Sequence, residues 1–103
     1  MTISISGAEA RLEGDWTLGT VARNIDELSL SLQQLDTIHD KKLRVDCGRI
    51  TNADMSGLQL LNVWMLCVTI RGMQPTLVNV PHKIRQDMQQ LPFKQFFSAA
   101  VSA

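Results

Sequence analysis

Leu43-Arg-Val-Asp-Cys-Gly-Arg-Ile-Thr-Asn-Ala-Asp-Met-Ser-Gly-Leu-Gln-Leu-Leu61 passes from a buried-strand pattern through a polar loop into the start of an apolar helix. Leu43 to Cys47 is short and apolar, and Val45 and its neighbours suit a central strand. The following helix is expected to begin near Ser56. At a helix N-terminus the unpaired backbone N–H groups and the positive end of the dipole favour a phosphate over a neutral hydroxyl. Asp54 is suited to cap this helix, Ser56 to expose its hydroxyl in the first turn, and Gly57 to let another chain approach closely. Phosphorylation of Ser56 would add about −1.5 to −2 charges at pH 7. The helix end tolerates that charge, whereas a partner surface complementary to Asp54 does not. Capping alone is the plainer alternative, because Ser, Asp and Asn are common at helix starts for that reason.

At the start of the chain, Thr2 to Ser6 alternates polar and apolar, Gly7-Ala8 suits a turn, and Ala10 to Glu13 resumes the alternation, which predicts a β-hairpin. Gly14-Asp-Trp-Thr17 breaks the pattern. Leu18, Val21, Ile25, Leu28, Leu32 and Leu35 then line one face of an amphipathic helix. The same spacing suits a coiled-coil seam, but the stretch is too short for one, so packing on a sheet is the better reading. Asp36 to Lys42 is a polar turn. After Gly72 and Pro75, Thr76 to Val80 predicts a strand, and Pro81 opens a helix containing Ile84, Met88 and Leu91 that Pro92 ends. Phe93, Phe96 and Phe97 supply apolar mass for a tail that folds back. Strand and helix alternate after the hairpin, so the expected architecture is α/β, a mixed sheet of about four strands with helices mainly on one face.

The length of 103 residues suits one domain spanning 1–103. Ten Lys and Arg balance ten Asp and Glu, so neither a nucleic-acid footprint nor an anionic-membrane patch has electrostatic support. Cys47 and Cys67 fall in a predicted strand and a predicted helix, where cysteines behave as small buried hydrophobes rather than as a disulfide. The first residues show no basic segment followed by an apolar run, so neither a signal peptide nor direct membrane insertion is expected, and cytoplasmic residence is the default.

The helix from Ser56 is unusual. Leu58, Leu61, Met65 and Val68 already make an inward stripe, yet Leu60, Val63, Trp64, Leu66, Cys67 and Ile70 are apolar too. Such a helix is either buried on several sides or presents a second face to another protein. The favoured expectation is a partner-binding face that includes Leu60 and Trp64, on the same side at spacing four. The alternative packs Trp64 under the Phe-rich tail.

The candidates for chemistry are His39, His82, Ser56, Cys47, Cys67 and scattered carboxylates, and they form no recognised spacing. There is no Gly-x-Ser-x-Gly elbow, no Cys-x-x-Cys or His-x-x-x-His pair, and no Gly-rich phosphate loop. A Ser56, His82 and Asp46 triad would need a spatial meeting that no motif supports. The expectation is a protein without catalysis, cofactor or metal. Asp46 is placed as support for the loop, accepting from backbone N–H groups of residues 48 to 54, and Arg49 is given a similar part.

Val45-Asp-Cys-Gly48 and Asp54-Met-Ser-Gly-Leu58 resemble the STAS family, in which an apolar strand ending in Asp-Leu-Ser leads to Asp-Ser-Ser-Gly-Leu at the head of a helix. Leu12-Glu-Gly-Asp-Trp-Thr17 and Thr76-Leu-Val-Asn-Val80 extend the resemblance over about residues 12–97. It implies a non-enzymatic interaction module of bacterial regulation, like the anti-sigma factor antagonists. The family's phosphorylated Ser falls on Ser56, with Asp54, Met55 and Gly57 beside it in the partner-binding segment. Met55 replaces the first Ser of the motif, and the Asp of the antagonists' Gly-Glu-Leu-Asp falls on Thr17. Gly14 to Leu18 looks more like STAS subunits of Mla-type phospholipid-transport ABC complexes, and Gly57 to Leu61 also resembles small STAS proteins found beside chemotaxis kinases. The implied partner is accordingly an anti-sigma factor kinase, an ABC transporter ATPase or permease, or a chemotaxis kinase system.

Overall fold

The hairpin forms where the alternation places it. Thr2–Ser6 (β1) and Glu9–Trp16 (β2) pair antiparallel across Gly7-Ala8, with Ile3 opposite Leu12 and Ile5 opposite Ala10. Gly7 has φ +55°, a conformation that side-chain-bearing residues disfavour and a tight hairpin requires. The computed structural model describes residues 1–91. Pro92 and the phenylalanines of the tail lie outside the described residues.

β2 runs three residues beyond Glu13, through the segment expected to break the pattern. Likewise β3, Lys42–Ala53, is more than twice the expected strand, because the polar stretch from Gly48 pairs in parallel with the extension of β2. Register shifts between Arg11 and Glu13 and between Gly14 and Asp15 accommodate the extra residues of β3, and this is why the alternation is lost there. Gln74–Val78 (β4) pairs in parallel with β3, and the sheet order is β1-β2-β3-β4. The expected mixed four-stranded α/β sheet is the observed one.

The single helix expected from Leu18 to Leu35 is instead two, α1 (Leu18–Arg23) and α2 (Ile25–Leu35). Asn24 leaves helical geometry at φ −117°, ψ 29°, and its side-chain amide donates to the Thr20 carbonyl at 2.7 Å, taking the acceptor that a continuing helix would use. The break exposes Leu18 and Ile25, which were expected inward, and leaves Val21, Leu28 and Leu35 to the core.

Met55–Ile70 (α3) carries the chain from β3 to β4, and His82–Met88 (α4) follows β4 with Pro81 at its start. Leu91 is buried beyond the end of α4. Parallel strands joined by crossovers take them right-handed, which puts α1, α2 and α3 on the same side. In agreement, one face of the sheet is buried through Ala10, Leu12, Leu43, Val45, Cys47 and Leu77. The other carries Glu9, Arg11, Glu13, Arg44 and Arg49, joined in exposed ion pairs such as Arg44 to Glu9 at 2.8 Å, each of small energetic value. Among the described residues no helix is long and apolar enough to cross a membrane.

Candidate functional site

β2 and β3 run in the same direction and end side by side, Trp16 opposite Ala53, so the helices that follow them begin next to one another. Asp54 sits at this junction. Its extended backbone turns the chain into α3, and its Oδ1 accepts from the Gly57 N–H at 2.7 Å, as a capping carboxylate does. The same carboxylate also accepts from the Leu18 N–H, at 3.1 and 3.2 Å to its two oxygens. Thr17, the residue before α1, makes no capping hydrogen bond with its side chain. A side chain 36 residues away in sequence therefore serves the first N–H of α1 and ties two helix N-termini together.

Asp15 completes this edge. It accepts from the Thr17 N–H at 2.9 Å and the Thr20 hydroxyl at 3.3 Å, and the Thr17 N–H is the main reason that its carboxyl titrates below the ordinary value. Asp54→Ala is expected to cost about 0.5–2 kcal/mol, toward the upper end because two helices lose a partner, whereas Thr17→Ala removes no cap. Thermal denaturation of the two variants checks this.

Ser56 lies in the first turn of α3, half-buried, and its hydroxyl takes no part in any hydrogen bond among the described residues. Capping falls to Asp54 alone, so the capping role open to Ser56 from the sequence is not the one it has. Met55 is 45% exposed and Leu18 is 47% exposed, so apolar side chains and the Asp54 carboxylate share this edge with Ser56.

Two expected binding residues are corrected. Gly57 is buried, and a Cβ built there collides with the Trp16 carbonyl oxygen, so the chain that approaches it closely is the protein's own β2 and not a partner. Trp64 is 2% exposed and its indole N–H donates to Ser31 Oγ at 2.9 Å, while Ser31 in turn donates to the Leu28 carbonyl at 2.6 Å. The indole is held against α2 by a buried polar chain that the hydrophobic pattern did not reveal. Leu60 is half-buried beside it, on the wall of a shallow groove between α2 and α3.

Asp46 does bond within the stretch expected of it, accepting from the Gly48 N–H at 2.9 Å, and that bond is the main cause of its lowered pKa. Its other donor is the side chain of Asn79 at 3.3 Å, a residue held at φ +57° directly after β4, where Asn is among the residues that tolerate a left-handed backbone. Asp46 thus supports the β3 irregularity and the β4 exit. Roughly 20 Å of strand separates it from Ser56, so Asp46 and Ser56 are not brought together. Arg49 pairs with Glu13 at 3.7 Å on the open sheet face. Burial pushes the Cys47 thiol up to about 12, which leaves it a packing residue.

Sequence reading missed Leu18, Asp15, Ser31 and Asn79. Asp15-Trp-Thr17 carried a usable signal, since an Asp side chain commonly accepts from the backbone N–H two residues on. Compared with models of known protein families and with curated proteins, the chain gives no match.

Proposed function

We propose that this chain is a docking module of the STAS type, without catalysis of its own, whose partner surface is the junction of α1 and α3 and whose binding is switched by phosphorylation of Ser56. The observation that carries this reading is the division of labour between Asp54 and Ser56. Asp54 caps α3 and secures α1, and among the described residues the Ser56 hydroxyl is uncommitted. A phosphate on Ser56 gains from the two adjacent helix N-termini, so the fold tolerates it. The same dianion next to the exposed Asp54 carboxylate reverses the electrostatics that a partner meets between Met55 and Leu18.

The resemblance of Asp54-Met-Ser-Gly-Leu58 to the antagonists' acceptor segment supports a bacterial anti-sigma factor kinase as the partner class. Ser56→Ala is expected to change stability by less than about 0.5 kcal/mol and to bind the partner constitutively. Ser56→Asp is expected to fold normally and lose the partner. Affinity capture with each variant from the native cell, and phosphate analysis of the wild-type protein, provide the measurement. Equal capture by both variants and no phosphate would remove the switch. That result would leave a passive docking subunit of the transport type, toward which the Gly14 to Leu18 resemblance points.

A further inference from the structure

The free edge of β1 carries a feature that goes beyond the docking reading and does not rest on it. The Ile3 N–H donates at 3.2 Å to the Glu27 carboxylate of α2 and not to β2. Backbone direction alternates along a strand, so Ile3 and Ile5 turn their N–H and C=O groups to the outer edge, while Thr2, Ser4 and Ser6 bond to β2. Among the described residues the Ile3 carbonyl and both backbone groups of Ile5 take no hydrogen bond there.

An open edge is a template for another strand unless something blunts it. The opposite edge of the sheet is blunted by Pro75. There the Gln74 N–H donates inward to the Lys41 carbonyl at 2.8 Å, so the next nitrogen, that of Pro75, faces outward and has no hydrogen to offer. β1, Thr2-Ile-Ser-Ile-Ser6, has no proline, no charge and no register shift. What blunts it among the described residues is Glu27, whose carboxylate takes the Ile3 N–H and sets a charge where an uncharged strand would lie.

We propose that the β1 edge is built to pair antiparallel with β1 of a second copy, and that Glu27 holds it shut. The occupant follows from the symmetry of the strand. Reversed about Ser4, Ile3 stands opposite Ile5 of the other copy, and such a pair exchanges both of its N–H···O bonds, so every outward group is met by an outward group of the copy. Thr2 then stands opposite Ser6, hydroxyl beside hydroxyl, with no like charges to oppose them. The isoleucines continue the apolar layer beneath α2, since Ile3 is buried and Ile5 half-buried. Leu30 adds to this border: it lies one turn from Glu27 and is 57% exposed. Joining the strands brings the α2 helices of both copies to the same side of the extended sheet.

Sedimentation equilibrium of the full chain and of Glu27→Ala over a wide concentration range tests this. The wild-type chain is expected to keep the single-chain mass of 11.5 kDa. Glu27→Ala is expected to rise reversibly toward twice that mass with an unchanged circular dichroism spectrum, since alanine suits a helix interior. Ser4→Cys, alone and combined with Glu27→Ala, reads the register. In the proposed pairing residue 4 stands opposite its own equivalent in a pair without hydrogen bonds, at about 4.5 Å between Cα atoms, which a disulfide spans. Oxidation with copper phenanthroline followed by peptide mapping is expected to find the 4-to-4 linkage in the double variant and little in Ser4→Cys alone. A mass that Glu27→Ala leaves unchanged would overturn the proposal. Linkage that omits residue 4, or that forms equally with Glu27 in place, would overturn it too.

Discussion

Gly57→Ala is expected to be among the most damaging single-methyl changes in this protein, lowering stability by about 3 kcal/mol or more. The added Cβ would occupy the space of the Trp16 carbonyl oxygen, with the carbonyl carbon and Asp54 Oδ1 also in the way. The two Trp16 atoms are backbone and do not give at small cost. Trp16 is the last residue of β2, fully buried and in register with Ala53 of β3, so moving its carbonyl means moving the strand. The third obstacle is the carboxylate that caps α3 and holds α1, so relief in that direction breaks the helix junction. Urea denaturation checks the expectation as a shift in midpoint at unchanged slope. Gly19→Ala is the control. It lies in α1 with nothing near the site of its Cβ, and there the substitution is expected to stabilise by about 0.5–1 kcal/mol.

Trp64→Ala is expected to cost about 3–5 kcal/mol, the range for removing a large buried ring. The indole fills the contact between α3 and α2, and its N–H is the donor that Ser31 accepts. Trp64→Phe should recover most of the loss. It keeps the ring, and Ser31 retains its own bond to the Leu28 carbonyl, so no donor on α2 is stranded. Thermal unfolding of the two variants separates packing from hydrogen bonding. Had Trp64 been an exposed docking residue, both substitutions would have weakened partner capture and spared the melting temperature.

The course of the chain was legible where periodicity and punctuation coincide. Thr2 to Glu13 alternates around Gly7-Ala8, and the hairpin lies there. Leu58, Leu61, Met65 and Val68 recur at helical spacing, and all are buried. Asp54 preceded an apolar run, and it caps α3. Legibility failed at Asn24 and at Gly48 to Ala53, where the deciding interactions are a side-chain amide bonding the preceding turn and a strand stabilised by an irregular neighbour. Neither leaves a trace in the order of apolar residues.

The fold class, the succession of strands and helices apart from the break at Asn24, the inward stripe of α3 and the capping carboxylate are legible in the order of residues, because each rests on contacts between residues near in the chain or on a repeat of 2 or 3.6 residues. Whether the second apolar side of α3, through Trp64, is covered or exposed was settled by tertiary packing. That side is apolar in sequence whether covered or not, and it is α2 that covers it, with a Ser31 hydroxyl 33 residues away accepting from the Trp64 indole. The tertiary structure also decided what Ser56 is free to do. Parallel pairing of β2 with β3 brings Leu18 to Asp54, and with both helix starts served by one carboxylate, the serine beside it takes no part in a hydrogen bond among the described residues.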